Sequence, residues 1–302
     1  MDRRRVLGFL GAACAAAALP GRGQSAASAH TRPIPASGER MPVVGLGTWL
    51  TFDVGADDTA ARRIRGDVLR AFLAAGGRMV DSSPMYGSSE AVIGAELARG
   101  APQGLFCATK VWTVGALAGR RQMERSRELW RQQRFDLMQV HNMLDWQAHW
   151  PVLREMKAAG RARYIGMTTS HGRRHDDLES IMKREKPDFV QLTYNLNDRE
   201  VESRLLPLAA ERGIAVIVNR PFDGGEMFGA RTSRPLPGWA AEIGCRTWAE
   251  AFLKWIAGHP AVTCAIPATS KVAHLQENVR ALSGPLPDPA LRRRIAEDYH
   301  RS

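Results

Sequence analysis

Short apolar runs alternate with longer amphipathic segments through most of the chain. The runs have the length of buried β-strands, and the segments between them repeat their apolar positions with a helical period before ending at Gly or a polar turn. This alternation predicts a closed parallel (β/α)8 TIM barrel; a doubly wound sheet is the alternative, but no Gly-x-Gly-x-x-Gly follows the first strand. The predicted strands are 43–48, 79–81, 105–110, 137–141, 164–167, 189–192, 215–218 and 263–266. The clearest helical patterns are 59–75, 88–97, 147–159 and 201–211.

The 302 residues are enough for one barrel of this kind behind a short N-terminal segment. We expect residues 30–302 to form a single domain, since no linker-like stretch interrupts them. Residues 30–38 are predicted to be an exposed leader, and the tail from Pro285 to carry an additional C-terminal helix. The loop 223–237 is rich in Gly, Arg and Pro, and is predicted to shape the mouth of the barrel.

Ionisable side chains stand at or just after the ends of three successive predicted strands. Asp81 ends one strand and is followed by Tyr86, Lys110 ends the next, and His141 ends the third. The carboxyl ends of parallel barrel strands meet at one rim, where enzymes of this architecture hold their catalytic groups. Taken singly, each residue has a structural explanation: a turn, a packed loop aromatic or a strand-end histidine. Together they predict an active site.

This set of side chains suits proton delivery to a carbonyl oxygen during hydride transfer. A phenol is a weak acid at neutral pH, so we expect Lys110 to lower the pKa of Tyr86 and Asp81 to keep Lys110 charged. His141 can donate to the same oxygen and orient it. The chain uses Arg for most of its positive charge, with 6 Lys among 42 basic residues, yet a Lys ends this strand.

These motifs resemble the aldo/keto reductase family, in family order over nearly the whole chain after its N-terminal segment. The resemblance implies a (β/α)8 barrel, a nicotinamide cofactor bound extended across its C-terminal rim, and Asp81, Tyr86, Lys110 and His141 as the four catalytic residues. The matching stretches are 41–49 (MPVVGLGTW), 77–87 (GRMVDSSPMYG), 108–112 (ATKVW), 136–141 (DLMQVH), 191–195 (QLTYN), 266–270 (IPATS) and 277–278 (EN).

Several polar residues after the later strands are candidate contacts to the nicotinamide half of that cofactor. Thr168, Thr169 and Gln191 could hold the carboxamide, although strand-end capping would explain them equally well. Many family members have Ser-Asn where this chain has Thr168-Thr169. The tyrosine that usually stacks on the nicotinamide is missing after the seventh strand, where Asn219 and Arg220 precede Pro-Phe. Arg220 is expected either to touch the pyrophosphate or to form a surface salt bridge.

The stretch 268–278 resembles the adenosine-binding segment of the family. Many members grip the ribose 2′-phosphate with a Lys and an Arg where this chain has Ala268 and His274. The helix that follows could contribute amides to a phosphate site. We expect NADP(H) to be preferred, with NAD(H) as the alternative. The candidate contacts here are Thr269, Ser270, Lys271, His274, Glu277 and Asn278.

Two tryptophans follow strand ends and are candidate walls of the substrate pocket. Trp49 and Trp112 could line an apolar pocket for a small carbonyl compound, whether an aldehyde, ketone, quinone or sugar, although a loop Trp is as often simple packing. Two other classes remain open: a non-catalytic nicotinamide-binding regulator on the same barrel, and an exported binding protein.

The N-terminus has the pattern of a twin-arginine export signal. Asp-Arg-Arg-Arg-Val-Leu-Gly spans 2–8, an apolar stretch spans 6–19, and Ala-Ser-Ala at 27–29 offers a cleavage site before His30. The alternatives are an uncleaved anchor or a lipoprotein signal at Cys14, which lacks a leucine three residues earlier. We therefore predict a signal over 1–29, contact with the export machinery, no permanent membrane span after cleavage, and a periplasmic or secreted monomer.

The net charge and the cysteines give no sign of a nucleic-acid partner, a disulfide or a metal site. Loss of residues 1–29 removes four Arg and one Asp, so the formal charge falls from +11 to +8. The arginines are scattered at mixed spacing without a nucleic-acid motif, so we expect no nucleic-acid partner. Cys107, Cys245 and Cys264 would remain; we expect no disulfide among them, and no metal site because no Cys/His cluster has ligand spacing.

Overall fold

The computed structural model describes residues 29–100, 104–229 and 232–301, and the first range begins with a β-hairpin. β1 (Thr31–Pro33) pairs antiparallel with β2 (Arg40–Pro42), and Ile34 in the connection is fully buried. Ile34 belongs to the apolar cluster inside the barrel. The expectation of an exposed leader over 30–38 holds for Pro33 and for 35–38, which are exposed, but is wrong for Ile34, whose burial is worth about 1.5–3 kcal/mol and helps to hold the hairpin against the barrel. Residues 1–28, with most of the predicted export signal, lie outside the described residues.

Eight parallel strands follow one another in chain order around a barrel. The sheet closes where the amide of Gly45 donates to the carbonyl of Ala265 at 2.8 Å and that of Gly47 to the carbonyl of Pro267 at 3.0 Å. A Cβ at Gly47 would lie 2.6 Å from a backbone oxygen, so the closure needs glycine there. The predicted barrel is confirmed. Its strands are β3 (Leu46–Gly47), β4 (Met79–Asp81), β5 (Phe106–Val111), β6 (Phe135–Val140), β7 (Ala162–Thr168), β8 (Phe189–Thr193), β9 (Ala215–Asn219) and β10 (Cys264–Ala265).

Helices lie between the strands and cover the outside of the barrel, and the expected additional helix ends the described chain. The side chain of Asp58 caps the first of them by accepting from the amide of Ala61. The helices are α1 (Thr59–Ala74), α2 (Ser89–Leu97), α3 (Ala116–Trp130), α4 (Trp146–Ala158), α5 (His175–Glu185), α6 (Leu205–Arg212), α7 (Trp239–Glu242), α8 (Trp248–Ala257), α9 (Val272–Arg280) and α10 (Pro289–Arg301).

The helix predicted over 201–211 is divided in the structure. A 3₁₀ turn, Glu200–Glu202, comes first, and α6 begins only at Leu205. Pro207 then lies in the first turn of α6, where its missing N–H leaves no intrahelical hydrogen bond unmade. The proline thus accounts for the late start of the helix.

Apolar side chains pack both inside the barrel and between its strands and helices. Phe106, Tyr164 and Phe189 fill the interior, with ring centroids 5.4 to 6.0 Å apart. This packing closes the barrel on the side of the hairpin and leaves the opposite rim open for a site. Within the described ranges, no helix combines the length and apolar composition that a bilayer crossing requires.

Candidate active site

The four predicted catalytic residues meet at the carboxyl-end rim of the barrel. Asp81 is the last residue of β4, Lys110 lies near the end of β5, and His141 directly follows β6. Tyr86 comes from the turn after β4, whose backbone is held by a hydrogen bond from the Tyr86 amide to the carbonyl of Ser83 at 2.9 Å. Neighbouring parallel strands in register bring these side chains together, as the sequence pattern predicted.

Asp81 and Lys110 form a buried ion pair beneath the rim. Both side chains are almost completely inaccessible, and the ammonium donates to Asp81 Oδ1 and, at 2.8 Å, to the carbonyl of Ser82. The other carboxylate oxygen accepts from the amides of Gln139 at 3.1 Å and Gln191 at 3.2 Å. Burial alone would lower the pKa of Lys110, but Asp81 and Tyr86 outweigh it and hold that pKa above its usual 10.5. Lys110 is therefore positively charged.

Tyr86 lies between this ion pair and His141. The ammonium nitrogen of Lys110 is 5.0 Å from the centroid of the phenol ring, and the ring meets the imidazole of His141 edge to face at 5.6 Å. Burial raises the pKa of Tyr86 above its ordinary 10.0. Lys110 opposes this rise only in part, and Asp81 adds to it. The expectation that Lys110 would bring the phenol pKa below its usual value is thus wrong for the protein alone, because desolvation is the larger effect. Lys110 limits the rise, and the phenol stays protonated.

His141 is neutral in this setting. Burial, together with the positive charge of Lys110, lowers the pKa of the imidazole to about 2. Its Nδ1 is 2.8 Å from Oγ of Ser83, which is itself fully buried. A neutral imidazole with one nitrogen already engaged has one nitrogen left for a substrate.

A cavity of about 1190 Å³ opens at this rim. One end is lined by Asp81, Tyr86 and His141, and the cavity continues past β7, β8 and β9 to the start of α9. It exceeds the range of about 300–1,000 Å³ that is usual for small-ligand pockets. The cavity can therefore accept a long ligand together with a small second molecule at the Tyr86 end.

The candidate nicotinamide contacts all line this cavity: Thr168, Thr169, Gln191, Asn219 and Arg220. Several of these side chains already bond within the protein. The hydroxyl of Thr168 accepts from the amide of Asn142 at 2.8 Å, and the amide of Asn219 donates to the carbonyl of Thr169 at 2.8 Å. Arg220 pairs with Asp223 at 2.9 Å and lies 6.0 Å from the ring of Trp49. The structure thus shows a salt bridge at Arg220 on the edge of the cavity.

At the far end of the cavity the candidate adenosine contacts divide into two groups. Thr269, His274, Glu277 and Asn278 are among the lining residues, whereas Ser270 and Lys271 are not. Lys271 is the residue before α9 and is exposed.

Three arginines that the sequence argument did not single out also line the cavity. Arg173, Arg234 and Arg246 are exposed, and none pairs with a carboxylate among the described residues. They therefore offer unneutralised positive charge to an anionic ligand. They lie in segments that come together at the cavity only in the folded chain, so the spacing of residues along the sequence did not identify them.

The two candidate substrate-pocket tryptophans differ. Trp49 lines the cavity, together with the apolar side chains of Leu50, Met85 and Phe228. Trp112 is 42% exposed and does not line it. The side-chain amide of Gln122 on α3 bonds both the N–H and the C=O of Trp112, at 2.6 and 2.9 Å, which directs the backbone after β5 away from the cavity.

Two further polar residues support the site, and the sequence argument missed them. Ser83 contacts His141, and Gln139 contacts Asp81 from β6, opposite Lys110 in strand register. A polar side chain within an otherwise apolar buried strand, as at Gln139, was the available signal. Ser83 gave none, because a serine in a turn has an ordinary local explanation.

The described residues contain no cluster of three or more His, Cys, Asp or Glu side chains that could hold a metal ion. Cys107, Cys245 and Cys264 are free thiols there, and burial raises the pKa of all three. These thiols therefore resemble small packed apolar groups more than reactive ones.

Comparison with known proteins identifies a family and several relatives for this chain. The sequence model of the Aldo/keto reductase family matches residues 43–293. An NADH-specific methylglyoxal reductase of Escherichia coli is 29% identical over 227 residues, covering 65% of this chain and 68% of that protein. An aldo-keto reductase of Mycolicibacterium vanbaalenii is 28% identical, covering 71% and 74%. An aldo/keto reductase of Klebsiella pneumoniae solved with NADP and acetate superposes with a TM-score of 0.74 at 23% identity, covering 87% and 93%.

Proposed function

This chain belongs to the aldo/keto reductase family, and we propose that Tyr86, Lys110, Asp81 and His141 carry its reaction. The protein is an NAD(P)H-dependent oxidoreductase that reduces aldehyde or ketone groups to alcohols. The observation that carries the assignment of residues is the contact of a protonated phenol with a buried lysine–carboxylate pair and a neutral imidazole at one end of the cavity.

Tyr86 is the proton donor in this mechanism. When bound, the nicotinamide ring supplies the hydride to the carbonyl carbon. The carbonyl oxygen becomes an alkoxide as this happens, and the phenol of Tyr86 gives it a proton. His141 donates a hydrogen bond to the same oxygen, which holds the carbonyl in place and stabilises its developing negative charge.

Lys110 and Asp81 adjust the acidity of Tyr86 without touching the substrate. Burial makes the phenol harder to ionise, and the charged ammonium at 5.0 Å reduces that cost when the proton leaves. Asp81 keeps Lys110 charged, and the amides of Gln139 and Gln191 fix the orientation of the carboxylate. The pair thus makes a buried tyrosine usable as an acid.

The cavity fits a nicotinamide dinucleotide in size and in the chemistry of its lining. Gln191, Asn219 and Thr169 lie at the Tyr86 end, where an amide ligand would find donors and acceptors. Glu277 and Asn278 lie at the far end, where they could meet an adenine. Arg173, Arg234 and Arg246 have no carboxylate partner among the described residues and suit its phosphates. Because the stacking tyrosine is absent, other residues that line the cavity would contact the face of the nicotinamide ring.

We propose NADP(H) as the preferred cofactor, with only modest discrimination against NAD(H). The E. coli relative is NADH-specific by name, whereas the Klebsiella structure was solved with NADP. Ala268 and His274 stand where many members have a Lys and an Arg, but His274 and Thr269 line the cavity and could still contact a 2′-phosphate.

The substrate is a small carbonyl compound, and we propose that its remainder is apolar. Trp49, Leu50, Met85 and Phe228 line the cavity as the apolar groups available to contact it. Such apolar lining favours a substrate with hydrocarbon or aromatic parts over a fully hydroxylated one. A panel of aliphatic, aromatic and sugar aldehydes would rank these classes.

We further propose export through the twin-arginine route, with cleavage after Ala29 and a monomeric periplasmic or secreted product. The support is the sequence of residues 1–29. Replacing Arg3, Arg4 and Arg5 by Lys in a tagged full-length protein should retain it in the cytoplasm. Export that continues unchanged in this variant would contradict the proposal.

The experiment that tests the function uses protein lacking residues 1–29, NADPH or NADH, and the carbonyl panel. Consumption of the cofactor that depends on the carbonyl compound supports the enzyme. Cofactor binding without turnover would indicate a nicotinamide-binding regulator instead. Absence of cofactor binding would favour an exported binding protein.

A further inference from the structure

Ser83 is placed so that its hydroxyl has one acceptor available. It follows β4, is fully buried, and its Oγ is 2.8 Å from Nδ1 of His141. The same oxygen accepts the backbone N–H of Met85 at 3.2 Å. In the described part of the chain these are the polar atoms that Oγ contacts. A buried hydroxyl proton needs an acceptor, so the Ser83 O–H donates to Nδ1 of His141.

Because His141 is neutral, its contact with Ser83 determines whether Nε2, the other ring nitrogen, carries the proton. Because the imidazole is neutral, it carries a single N–H. If Nδ1 accepts from Ser83, the proton must be on Nε2. This nitrogen bonds to no described residue and is not enclosed by protein, and His141 lines the cavity beside Tyr86.

We propose that Ser83 is a positioning residue that holds His141 in the Nε2–H tautomer, so that the histidine presents a donor to the substrate carbonyl oxygen. The inference rests on the proposed function for the role of His141, but the tautomer itself is a property of the protein alone. In the opposite tautomer Nε2 would present a lone pair to the carbonyl oxygen, and the two would repel each other. The neighbouring Ser82 does not replace Ser83, because its Oγ lies 2.9 Å from the hydroxyl of Thr48, and the serine hydroxyl at Nδ1 of His141 is that of Ser83.

The tautomer can be read directly by nitrogen NMR of protein labelled with ¹⁵N-histidine, without substrate or cofactor. Comparison with His141→Asn identifies the His141 signals. In the parent protein we expect an unprotonated Nδ1 and a protonated Nε2 at neutral pH. A protonated Nδ1 in the parent would overturn the proposal.

Three variants separate the tautomer from general packing. Ser83→Ala should produce a mixture of tautomers at His141, and Ser83→Thr, which keeps the hydroxyl, should restore the parent signals. Ser126→Ala is the matched control, because Ser126 is also buried and its hydroxyl donates to Glu90 at 2.9 Å, away from the imidazole. It should leave the His141 signals unchanged.

Kinetics give the second measurement. Ser83→Ala should lower kcat for carbonyl reduction by about tenfold, the equivalent of one hydrogen bond, while the Kd for NADPH stays at the parent value. Ser83→Thr should recover most of the loss. An unchanged His141 tautomer in Ser83→Ala would refute the proposal even if activity fell. If no carbonyl compound is reduced by any form of the protein, the proposed function fails, and the NMR result still decides the role of Ser83.

Discussion

Removing the charge of Lys110 is the perturbation whose effect can be worked most fully from the structure. In Lys110→Met the ammonium 5.0 Å from the phenol ring of Tyr86 is lost. If this distance to the ring centroid stands for the separation between the ammonium and the phenolate charge, the two interact by about 3 kcal/mol at an effective dielectric constant of about 20. This corresponds to a loss of about 10²-fold in rate if the phenolate develops fully in the transition state. We therefore expect carbonyl reduction near pH 7 to fall by about two orders of magnitude, with the remaining activity shifted to higher pH.

The same change leaves Asp81 buried without its cation. Breaking a buried ion pair from one side costs about 3–5 kcal/mol of stability, so reduced activity could reflect partial unfolding. Asp81→Asn/Lys110→Met removes both charges and should be more stable than Lys110→Met, yet stay well below the parent's activity, because the loss of Asp81, which raises the pKa of Tyr86, offsets the loss of Lys110 only in part. Lys254→Met deletes another buried lysine, on α8, whose Nζ donates to the carbonyl of Ile243. This control should lose stability but keep the parent's pH dependence.

The assay is the pH–rate profile of NADPH-dependent carbonyl reduction, measured beside denaturant unfolding of each variant. The reasoning is refuted if the Lys110→Met profile overlays that of the parent, or if Asp81→Asn/Lys110→Met regains the parent's full activity together with stability. In either case Lys110 would serve folding alone.

Three further outcomes follow from the same contacts. Asp81→Asn alone should shift the pH–rate profile in the same direction as Lys110→Met but less: without Asp81, burial lowers the pKa of Lys110 and weakens its charge, while the loss of the carboxylate, which raises the pKa of Tyr86, offsets part of that effect; a shift as large as that of Lys110→Met would contradict this reasoning. His274→Arg should tighten NADPH selectively, since a guanidinium can bind a phosphate in bidentate fashion; fluorescence titrations with both cofactors test this, and equal tightening of NADH would remove His274 from the 2′-phosphate. Because the folded pKa of His141 is about 2 against 6.5 unfolded, the unfolded chain binds more protons between these values, so the free energy of unfolding should decrease by up to about 1.4 kcal/mol per pH unit below pH 6.5 from this group. Urea unfolding of His141→Asn should show a weaker decrease, and an identical slope would show that His141 is not desolvated.

The barrel was predictable from the sequence because the alternation of strands and helices depends on local periodicity. The placement of Asp81, Lys110 and His141 was predictable for the same reason, since successive parallel strands end on one side. Register then brings them within contact distance without further information. The break before α6 could also have been read, because Pro207 marks it.

What the sequence did not predict depends on contacts between distant segments. Ile34 anchors the N-terminal hairpin inside the barrel, and Gln122 diverts the backbone at Trp112; neither partner is close in sequence. The net pKa of Tyr86 depends on how much burial opposes the charge of Lys110, which only the folded packing decides. Ser83 acts on His141 through one hydroxyl across 58 residues of chain.

The central claim is that Tyr86 gives the proton to the reduced carbonyl, and Tyr86→Phe tests it most directly. The substitution removes one oxygen and keeps the ring that meets His141. The variant should bind NADPH with the parent's affinity, measured by fluorescence titration, and lose carbonyl reduction by about 10²-fold or more. Turnover close to the parent's, with cofactor binding intact, would show that the proton comes from another group.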